Sequence, residues 1–197
     1  MQRIPAIALA TAFLLTACGC RDEAQTATSA TGKGDRKLTI AVTIPAADHG
    51  WTAGVGYWAR QAMKQHPDVK WVFATALNPD KQIADIKDMM AQQTLDGMVV
   101  LCTESAPLTP VAKKVKENGI YIVNVDRGFT EPIADLFIEG DNVAFGRKSA
   151  EFMVSRLGSE EKKIVVLRGI PSTVDTDRYE AAMKVFAEHP NIKILGT

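Results

Sequence analysis

The sequence predicts an α/β protein built on a doubly wound parallel sheet. From Leu38 onward, short and continuously apolar runs typical of buried strands alternate with segments that have the 3.6-residue period of helices. In addition, the order of residue types in MKQHPDVKWVFAT (Met63 to Thr75) returns in FAEHPNIKILGT (Phe186 to Thr197). Strands that alternate with helices form parallel sheets with right-handed crossovers, and the repeat indicates two lobes built from the same β-α-β unit.

Each element is predicted from its own pattern. Seven runs of apolar and β-branched residues predict strands: Leu38–Ile44, Val69–Thr75, Gly97–Leu101, Ile120–Val125, Ala134–Ile138, Lys163–Leu167 and Ile192–Leu195. Five segments of helical period lie between them: Trp51–Gln65, Pro79–Gln93, Thr109–Asn118, Asn142–Leu157 and Asp175–Glu188. Asn78 before Pro79 predicts a helix N-cap with proline at the first helical position, and Thr109 before Pro110 predicts a second one.

The second lobe is expected to be incomplete. After its first β-α-β unit the first lobe continues through further helix and strand pairs, whereas the second lobe stops at Thr197. A two-stranded unit cannot cover both of its faces or bury a core of its own. We therefore expect one complete lobe, the start of another, and a protein roughly half as long again as this chain.

Composition excludes several classes of protein. The 197 residues include 23 Lys or Arg and 23 Asp or Glu, which argues against a basic nucleic-acid binder. The three histidines stand in separate elements and Cys102 is the only cysteine after residue 20, so neither a metal site nor an internal disulfide is expected in the folded body. The GxGxxA pattern at residues 54–59 begins ten residues after Ile44, too late for a dinucleotide-binding turn, so no cofactor is predicted.

The first residues have the features of an export signal. Arg3 precedes a mostly apolar run, residues 4–15, that is too short to span a bilayer. The following Leu-Thr-Ala-Cys resembles the lipobox of bacterial lipoproteins, which makes residues 1–17 a signal peptide and Cys18 the lipidated first residue of the mature chain. An ordinary signal with free thiols is the alternative, and Cys20 is a second candidate that lacks the upstream leucine.

The segment between the cysteines and the first strand has no apolar period. Residues 18–37 are rich in Thr, Ala, Gly and charge. Such a composition cannot bury enough apolar surface to fold, so we expect a flexible tether between an anchor and the folded body.

Polar residues collect directly after predicted strands. Ligands bind beyond the carboxyl ends of strands in an open parallel sheet, so these positions are candidates for function. His49 and Trp51 follow the first strand, and Asp126 and Arg127 follow the fourth. The strand that begins at residue 163 is followed by STVDTDR, residues 172–178.

Each candidate in the first lobe has two interpretations. Asp126 and Arg127 suit the neighbouring hydroxyls of a polyol, but in a simple turn Asp126 would bond nearby backbone amides and Arg127 would lie on the surface. Trp51 suits stacking on the C–H face of a sugar, or packing in the core at a helix start. His49 suits a hydroxyl contact or a helix cap, and Asp48 is expected to serve the same helix start.

Taken together, the lipobox-like segment, the doubled β-α-β unit, IAVTIPAADHGW, IVNVDRG and EGDNVAFGRKSAEFM resemble the periplasmic sugar-binding proteins of the ribose/galactose type. These are substrate-binding components of ABC importers, and the resemblance runs from Leu38 to Thr197. It implies the type I periplasmic binding protein fold. It also implies an N-terminal lobe over 38–141, and a hinge crossing with the first β-α-β part of a C-terminal lobe over 142–197.

The resemblance implies ligand contacts from both lobes: His49, Trp51, Asp126, Arg127, Thr176 and Arg178. Thr176 stands where the family often has an arginine, and Thr52 stands where ribose binders have a second aromatic residue. These departures argue against ribose itself. The implied ligand is another monosaccharide or a polyol.

The implied mechanism is hinge closure around the sugar, followed by docking of the closed form on the membrane subunits of an ABC permease. No catalytic residue is implied, and the implied location is the periplasm or cell envelope, with a lipid anchor at Cys18. An exported sugar-sensing receptor component is an alternative. A repressor of similar fold would need a DNA-binding headpiece, and an NAD-dependent or hydrolytic α/β enzyme would need reactive groups that the sequence lacks.

Overall fold

The computed structural model describes residues 36–47 and 49–197, which contain seven strands and five helices that alternate except where β5 directly follows β4. The strands are β1 Thr39–Pro45, β2 Lys70–Ala76, β3 Gly97–Val100, β4 Tyr121–Val125, β5 Leu136–Ile138, β6 Lys162–Val165 and β7 Ile192–Gly196. The helices are α1 Gly50–Gln65, α2 Pro79–Gln92, α3 Ser105–Glu117, α4 Asn142–Leu157 and α5 Thr173–Ala187. All twelve predicted elements are present, and every end except the start of α3 lies within two residues of the prediction.

The strands form two separate parallel sheets. Five strands pair in the order β2-β1-β3-β4-β5, while β6 and β7 pair only with each other. We call the five-stranded sheet with α1 to α3 the first lobe, and the two-stranded sheet with α4 and α5 the second lobe. In the first lobe the strand order reverses between β1 and β3, which is the position where parallel α/β sheets bind ligands. The predicted doubly wound parallel fold is confirmed.

The first lobe has an apolar core on each face of its sheet. Successive residues of a strand point to opposite faces. Ala41 and Met98 accordingly belong to the larger cluster, which contains α2 and α3 side chains, whereas Val42 and Ile44 belong to a smaller cluster beneath α1. Burial of both faces explains why these strands read as continuous apolar runs.

Helix α3 differs from its prediction at one end. It begins at Ser105, with Glu104 at the N-cap, so Thr109 and Pro110 lie inside the helix and do not cap it. Pro107 is tolerated in the first turn because its missing N–H would have no intrahelical partner there. The Thr109 hydroxyl donates a hydrogen bond to the Ser105 carbonyl at 2.9 Å, within the preceding helical turn.

The second lobe depends on close contact between α4 and α5. A Cβ atom added to Gly146 of α4 would lie 2.1 Å from the carbonyl oxygen of Arg178 in α5, so the two backbones touch there. Ala150, Phe186 and Ile192 form the small core beneath these helices.

The opposite face of the second lobe is open. No helix among the described residues covers it, and the Val165 and Leu195 side chains are 60% and 65% exposed. Within the described residues, the polypeptide passes from the first lobe to the second once, between Ile138 and Asn142. None of the helices in the described part of the chain has the length and apolar character of a membrane-spanning segment.

Replacing Gly146 by alanine should destabilise the protein, because the new methyl group forces α4 and α5 apart. We expect a loss of about 1 to 3 kcal/mol in the free energy of unfolding, measured by urea denaturation. Gly54→Ala in α1 is the matched control: a Cβ there meets nothing within 4 Å. It should be neutral or stabilise the helix by up to about 1 kcal/mol. Equal effects of the two substitutions would contradict the close crossing.

Candidate functional site

The carboxyl end of β3 is held by a buried glutamine from α2. Gln82 is fully buried, and its Nε2 atom donates to the Leu101 carbonyl oxygen at 2.8 Å. Its Oε1 atom accepts from the Thr103 N–H at 2.8 Å. The amide thus pairs backbone groups that no neighbouring strand reaches, and it fixes the path of the chain beyond β3.

The loop after β4 is held in the same way by a buried asparagine. Asn124 Nδ2 donates to the carbonyl oxygens of Val100 and Arg127, each at 3.0 Å, and its Oδ1 accepts from the Phe129 N–H at 3.1 Å. Asp126 lies inside this loop with φ of +62°, the left-handed conformation that aspartate tolerates better than most residues. The loop therefore has a defined shape before any ligand binds.

Asp126 contacts Trp51 across the sheet. The Trp51 Nε1–H donates to Asp126 Oδ2 at 3.1 Å. This oxygen therefore accepts from the indole and not from a backbone amide of its own turn. Trp51 is 56% exposed, so the alternative that places it in the core is wrong. The rule that functional residues follow the carboxyl ends of strands predicted that both residues lie at one edge of the sheet. It did not predict the hydrogen bond between them.

Arg127 is buried, with 7% of its surface exposed, so the alternative of a surface arginine is also wrong. Its Nη1 donates to the carbonyl oxygens of Cys102 and Thr103, both at 3.2 Å. Within the described chain its Nε and Nη2 atoms make no hydrogen bond to protein. The guanidinium is thus fixed at one nitrogen and retains donors for another partner.

His49 occupies the N-cap of α1, as one of its two interpretations predicts. Its N–H lies 3.4 Å from Thr52 Oγ1, and its Nδ1 lies 3.2 Å from the same hydroxyl. The helix start also has a capping box, in which the His49 side chain accepts from the Thr52 N–H and the Thr52 side chain accepts from the His49 N–H. Asp48, which was expected to serve this helix start, lies outside the described residues.

The wall of the second lobe contains an ion pair that the sequence did not reveal. Arg168 follows β6, and its Nε and Nη2 donate to Asp175 Oδ2 at 2.9 and 2.6 Å. The Arg168 guanidinium also lies 3.9 Å from the centre of the Tyr179 ring. The rule that polar residues after strands are candidates applies equally to Arg168, and it would have identified this residue.

Asp175 is the centre of this group. Burial raises the pKa of its carboxyl, but hydrogen bonds from Arg168 and the Gly169 N–H, with the charges of Arg168 and Arg178, together hold the pKa below its ordinary value. The Gly169 bond to Oδ1 is 2.7 Å long. Asp175 is therefore a carboxylate at neutral pH and keeps Arg168 in place.

The two predicted residues of α5 have different positions. Arg178 lines the space between the lobes, where its Nε donates to Asn142 Oδ1 at 3.0 Å and its guanidinium lies 4.4 Å from the centre of the Phe145 ring. Thr176 is exposed and does not line that space. The structure thus brings Arg178, but not Thr176, to the other candidates.

A single cavity of about 900 Å³ joins these groups, and we call it the cleft. Its polar and aromatic lining comes from both lobes and includes His49, Trp51, Asp126, Arg127 and Glu139 from the first, and Arg168, Asp175, Arg178 and Tyr179 from the second. Five of the six residues predicted from the sequence therefore share one cavity.

Cys102 lies just after β3 and is fully buried. Burial raises the pKa of its thiol to about 12, although Asn124 and Arg127 act in the opposite direction. A thiol that stays protonated is a poor nucleophile. Among the described residues, no group of three or more His, Cys, Asp or Glu side chains is arranged to hold a metal ion.

Two lobes with a polar cleft between them define the architecture of this α/β protein. Residues 40–197 match the periplasmic binding protein domain family, and the chain belongs to that family. This confirms the resemblance seen in the sequence.

Three relatives illustrate the match. The ribose import binding protein RbsB of Bacillus subtilis is 24% identical over 165 residues, covering 83% of this chain and 53% of the relative. The xylitol-binding protein of Mycolicibacterium smegmatis is 29% identical over 198 residues, covering 99% of this chain and 54% of the relative. The fructose-binding periplasmic domain of a hybrid two-component system has the same fold, with a TM-score of 0.73 at 24% identity over 81% of this chain and 53% of that one. The chain spans about half the length of the curated relatives it matches.

The raised pKa of Cys102 predicts an unreactive thiol. In a variant with Cys18→Ser and Cys20→Ser, Cys102 is the only cysteine. At about pH 8, roughly one in 10,000 of its thiols is ionised, against about a quarter for an exposed cysteine. Maleimide labelling of the folded variant, followed by mass spectrometry, should be at least about 100-fold slower than labelling in concentrated guanidinium chloride. Similar rates in the two conditions would show that the thiol is accessible.

Proposed function

We propose that this protein binds a monosaccharide or related polyol in the cleft and delivers it, as the substrate-binding component of an ABC importer, to a membrane permease. The observation that carries the proposal is the lining of the cleft, where carboxylates and guanidinium groups of both lobes face one cavity beside an exposed indole. Ribose and xylitol, which appear in the names of two relatives, belong to this ligand class.

The first lobe offers complementary groups to sugar hydroxyls. A hydroxyl both donates and accepts, whereas a carboxylate only accepts and a guanidinium only donates. Asp126 uses Oδ2 for Trp51, and its Oδ1 makes no hydrogen bond to the described residues. This oxygen can accept from a ligand hydroxyl while Nε and Nη2 of Arg127 donate to a neighbouring one. Such charge-assisted bonds offset the cost of removing a polyol from water.

Trp51 contributes an apolar surface at the same position. Its indole N–H is directed at Asp126, which leaves the faces of the ring for other contacts. The C–H face of a sugar stacks well on a large aromatic ring of this kind. Trp51 would then both orient the carboxylate and cover the ligand.

The charges of the cleft favour a neutral ligand. Three lining carboxylates, Asp126, Glu139 and Asp175, stand against three lining arginines: Arg127, Arg168 and Arg178. A ligand with its own charge would disturb this balance. Removing that charge from water would be unfavourable, because the cleft has no dedicated counter-ion for it. An uncharged polyhydroxylated molecule fits the lining better than a sugar acid or a sugar phosphate.

Contacts from both lobes give the ligand a way to favour one conformation. A molecule that bridges Asp126 of the first lobe and Arg178 of the second binds more tightly when the lobes are close together. It therefore shifts the population toward the closed form. The proposed mechanism needs this differential affinity and no covalent step.

The proposal places the protein at the cell envelope. Residues 1–17 would be removed as a signal peptide, Cys18 would carry the lipid, and residues 18–37 would be the tether. All of these except residues 36 and 37 lie outside the described residues. The family to which the chain belongs supports a location outside the cytoplasm.

Isothermal calorimetry of the full-length protein tests the ligand class. A panel of pentoses, hexoses and polyols that includes D-ribose, D-allose and xylitol should contain at least one ligand that binds stoichiometrically and without turnover. Asp126→Asn should weaken that binding about tenfold or more, because asparagine keeps the left-handed backbone but loses the charge-assisted acceptor.

Asp88→Asn is the matched control for this variant, since Asp88 is exposed on α2 and does not line the cleft. It should bind like the wild type. Absence of binding across the panel, or formation of product, would refute the proposed function. Loss of ligand uptake in a strain that lacks the gene for this protein would favour a role in import over a role in sensing.

Lipid attachment is tested by metabolic labelling with palmitate in a bacterial host. Cys18→Ser should abolish labelling and release the protein from the membrane fraction, because the lipidated thiol is gone. Cys20→Ser should leave both unchanged. Labelling that persists in Cys18→Ser and disappears in Cys20→Ser would assign the anchor to the second cysteine.

A further inference from the structure

Two helix N-termini, one from each lobe, meet beside the cleft. Ser105 is the first residue of α3 and Thr173 is the first residue of α5. The Thr173 N–H donates to Ser105 Oγ at 3.0 Å, and the Ser105 N–H donates to the Pro171 carbonyl oxygen at 3.2 Å. The first N–H groups of a helix have no partner within it. Here each lobe supplies the partner for the helix of the other.

Thr173 makes a third hydrogen bond between the lobes, and this one reaches the loop after β4, residues 126–129, which we call the ligand loop. Its Oγ1 accepts from the Gly128 N–H at 2.8 Å. Gly128 directly follows Asp126 and Arg127, so the bond lies at the end of the segment that carries both groups. We call the hydrogen bonds among Ser105, Gly128, Pro171 and Thr173 the clasp.

The packing around Gly128 shows how closely the lobes approach there. A Cβ atom added to Gly128 would lie 2.9 Å from Phe137 Cζ and 3.2 Å from Thr173 Oγ1. The Phe137 contact is too short for a Cβ atom and the Thr173 contact is tight, so a side chain at position 128 would displace its neighbours. Ser105 and Gly128 are buried and Thr173 is half-buried, so the two hydrogen bonds of Thr173 are partly shielded from water.

The ligand loop needs such support because it holds Asp126 in the left-handed conformation. A non-glycine residue stays there only when its surroundings fix it. Asn124 binds the backbone of the loop at Arg127 and Phe129 from within the first lobe. The Gly128 N–H between those two positions is bound by Thr173, from the second lobe.

We infer that Thr173 is a positioning residue for the proposed sugar site: through the clasp, the second lobe fixes the loop that presents Asp126 and Arg127. Thr173, Ser105 and Gly128 do not line the cleft, so none of them contacts the ligand. The clasp adds a contact from the second lobe to a loop that Asn124 already holds from the first. The inference rests on the proposed function for the identity of the ligand, but the clasp itself can be tested without one.

The first measurement uses the ligand-free, full-length protein. Thr173→Val keeps the shape of the side chain and removes the oxygen that accepts from Gly128. Hydrogen exchange of a peptide spanning residues 126–130 should become about fivefold faster or more. Thr94→Val, at an exposed threonine outside the clasp, should leave that exchange unchanged. Unchanged exchange in Thr173→Val would overturn the inference.

The second measurement titrates the same variants with D-ribose, D-allose and xylitol. Thr173→Val should bind the best of these about fivefold more weakly than the wild type. Thr173→Ser, which restores the hydroxyl, should bind within about twofold of the wild type. Equal affinities of Thr173→Val and the wild type would overturn the positioning role, even if Thr173→Val lowered the melting temperature. If the wild type binds no sugar, the proposed function fails, whereas the exchange result still decides the clasp.

Discussion

Several backbone groups just beyond the carboxyl ends of β3 and β4 are not paired by a neighbouring strand, and the cleft depends on how they are satisfied. Leaving one such buried group unpaired costs about 1 to 3 kcal/mol. Gln82, Asn124 and Arg127 supply the missing partners. Arg127 has two roles, since its Nη1 atom holds the end of β3 and the residue also lines the cleft. The site is therefore rigid because the groups that present it also complete the sheet.

The second lobe builds its wall from a different kind of interaction. There the link is an ion pair between Arg168 and Asp175, whose side chains are 37% and 16% exposed. Ion pairs near the surface are screened by water and contribute little to stability. The stacking of Arg168 on Tyr179 and the hydrogen bond from Gly169 add the geometric definition that the charges alone would not give. The first wall is thus fixed by buried amides, and the second by a network closer to solvent.

Sequence patterns could predict the order and type of every element, because continuous apolar runs and helical periods are local properties of the chain. The start of α3 was missed because Thr109-Pro110 has the local form of a cap, whereas the helix continues through it. The strand-end rule found Trp51 and Asp126, but their contact joins residues 75 positions apart and follows only from strand order. Thr176 does not line the cleft although Arg178 does, because each helical residue turns the side chain by about 100° and the two residues therefore point in different directions.

The equal numbers of carboxylates and arginines in the cleft have a further physical consequence. A neutral molecule approaching a cleft without net charge experiences no long-range attraction, so its capture rate is set by diffusion and by the opening of the lobes. Dissolved salt screens charges over about 10 Å at 0.1 M, yet it has little to screen in such an encounter. A receptor of this design would bind its ligand equally fast at low and at high salt concentration.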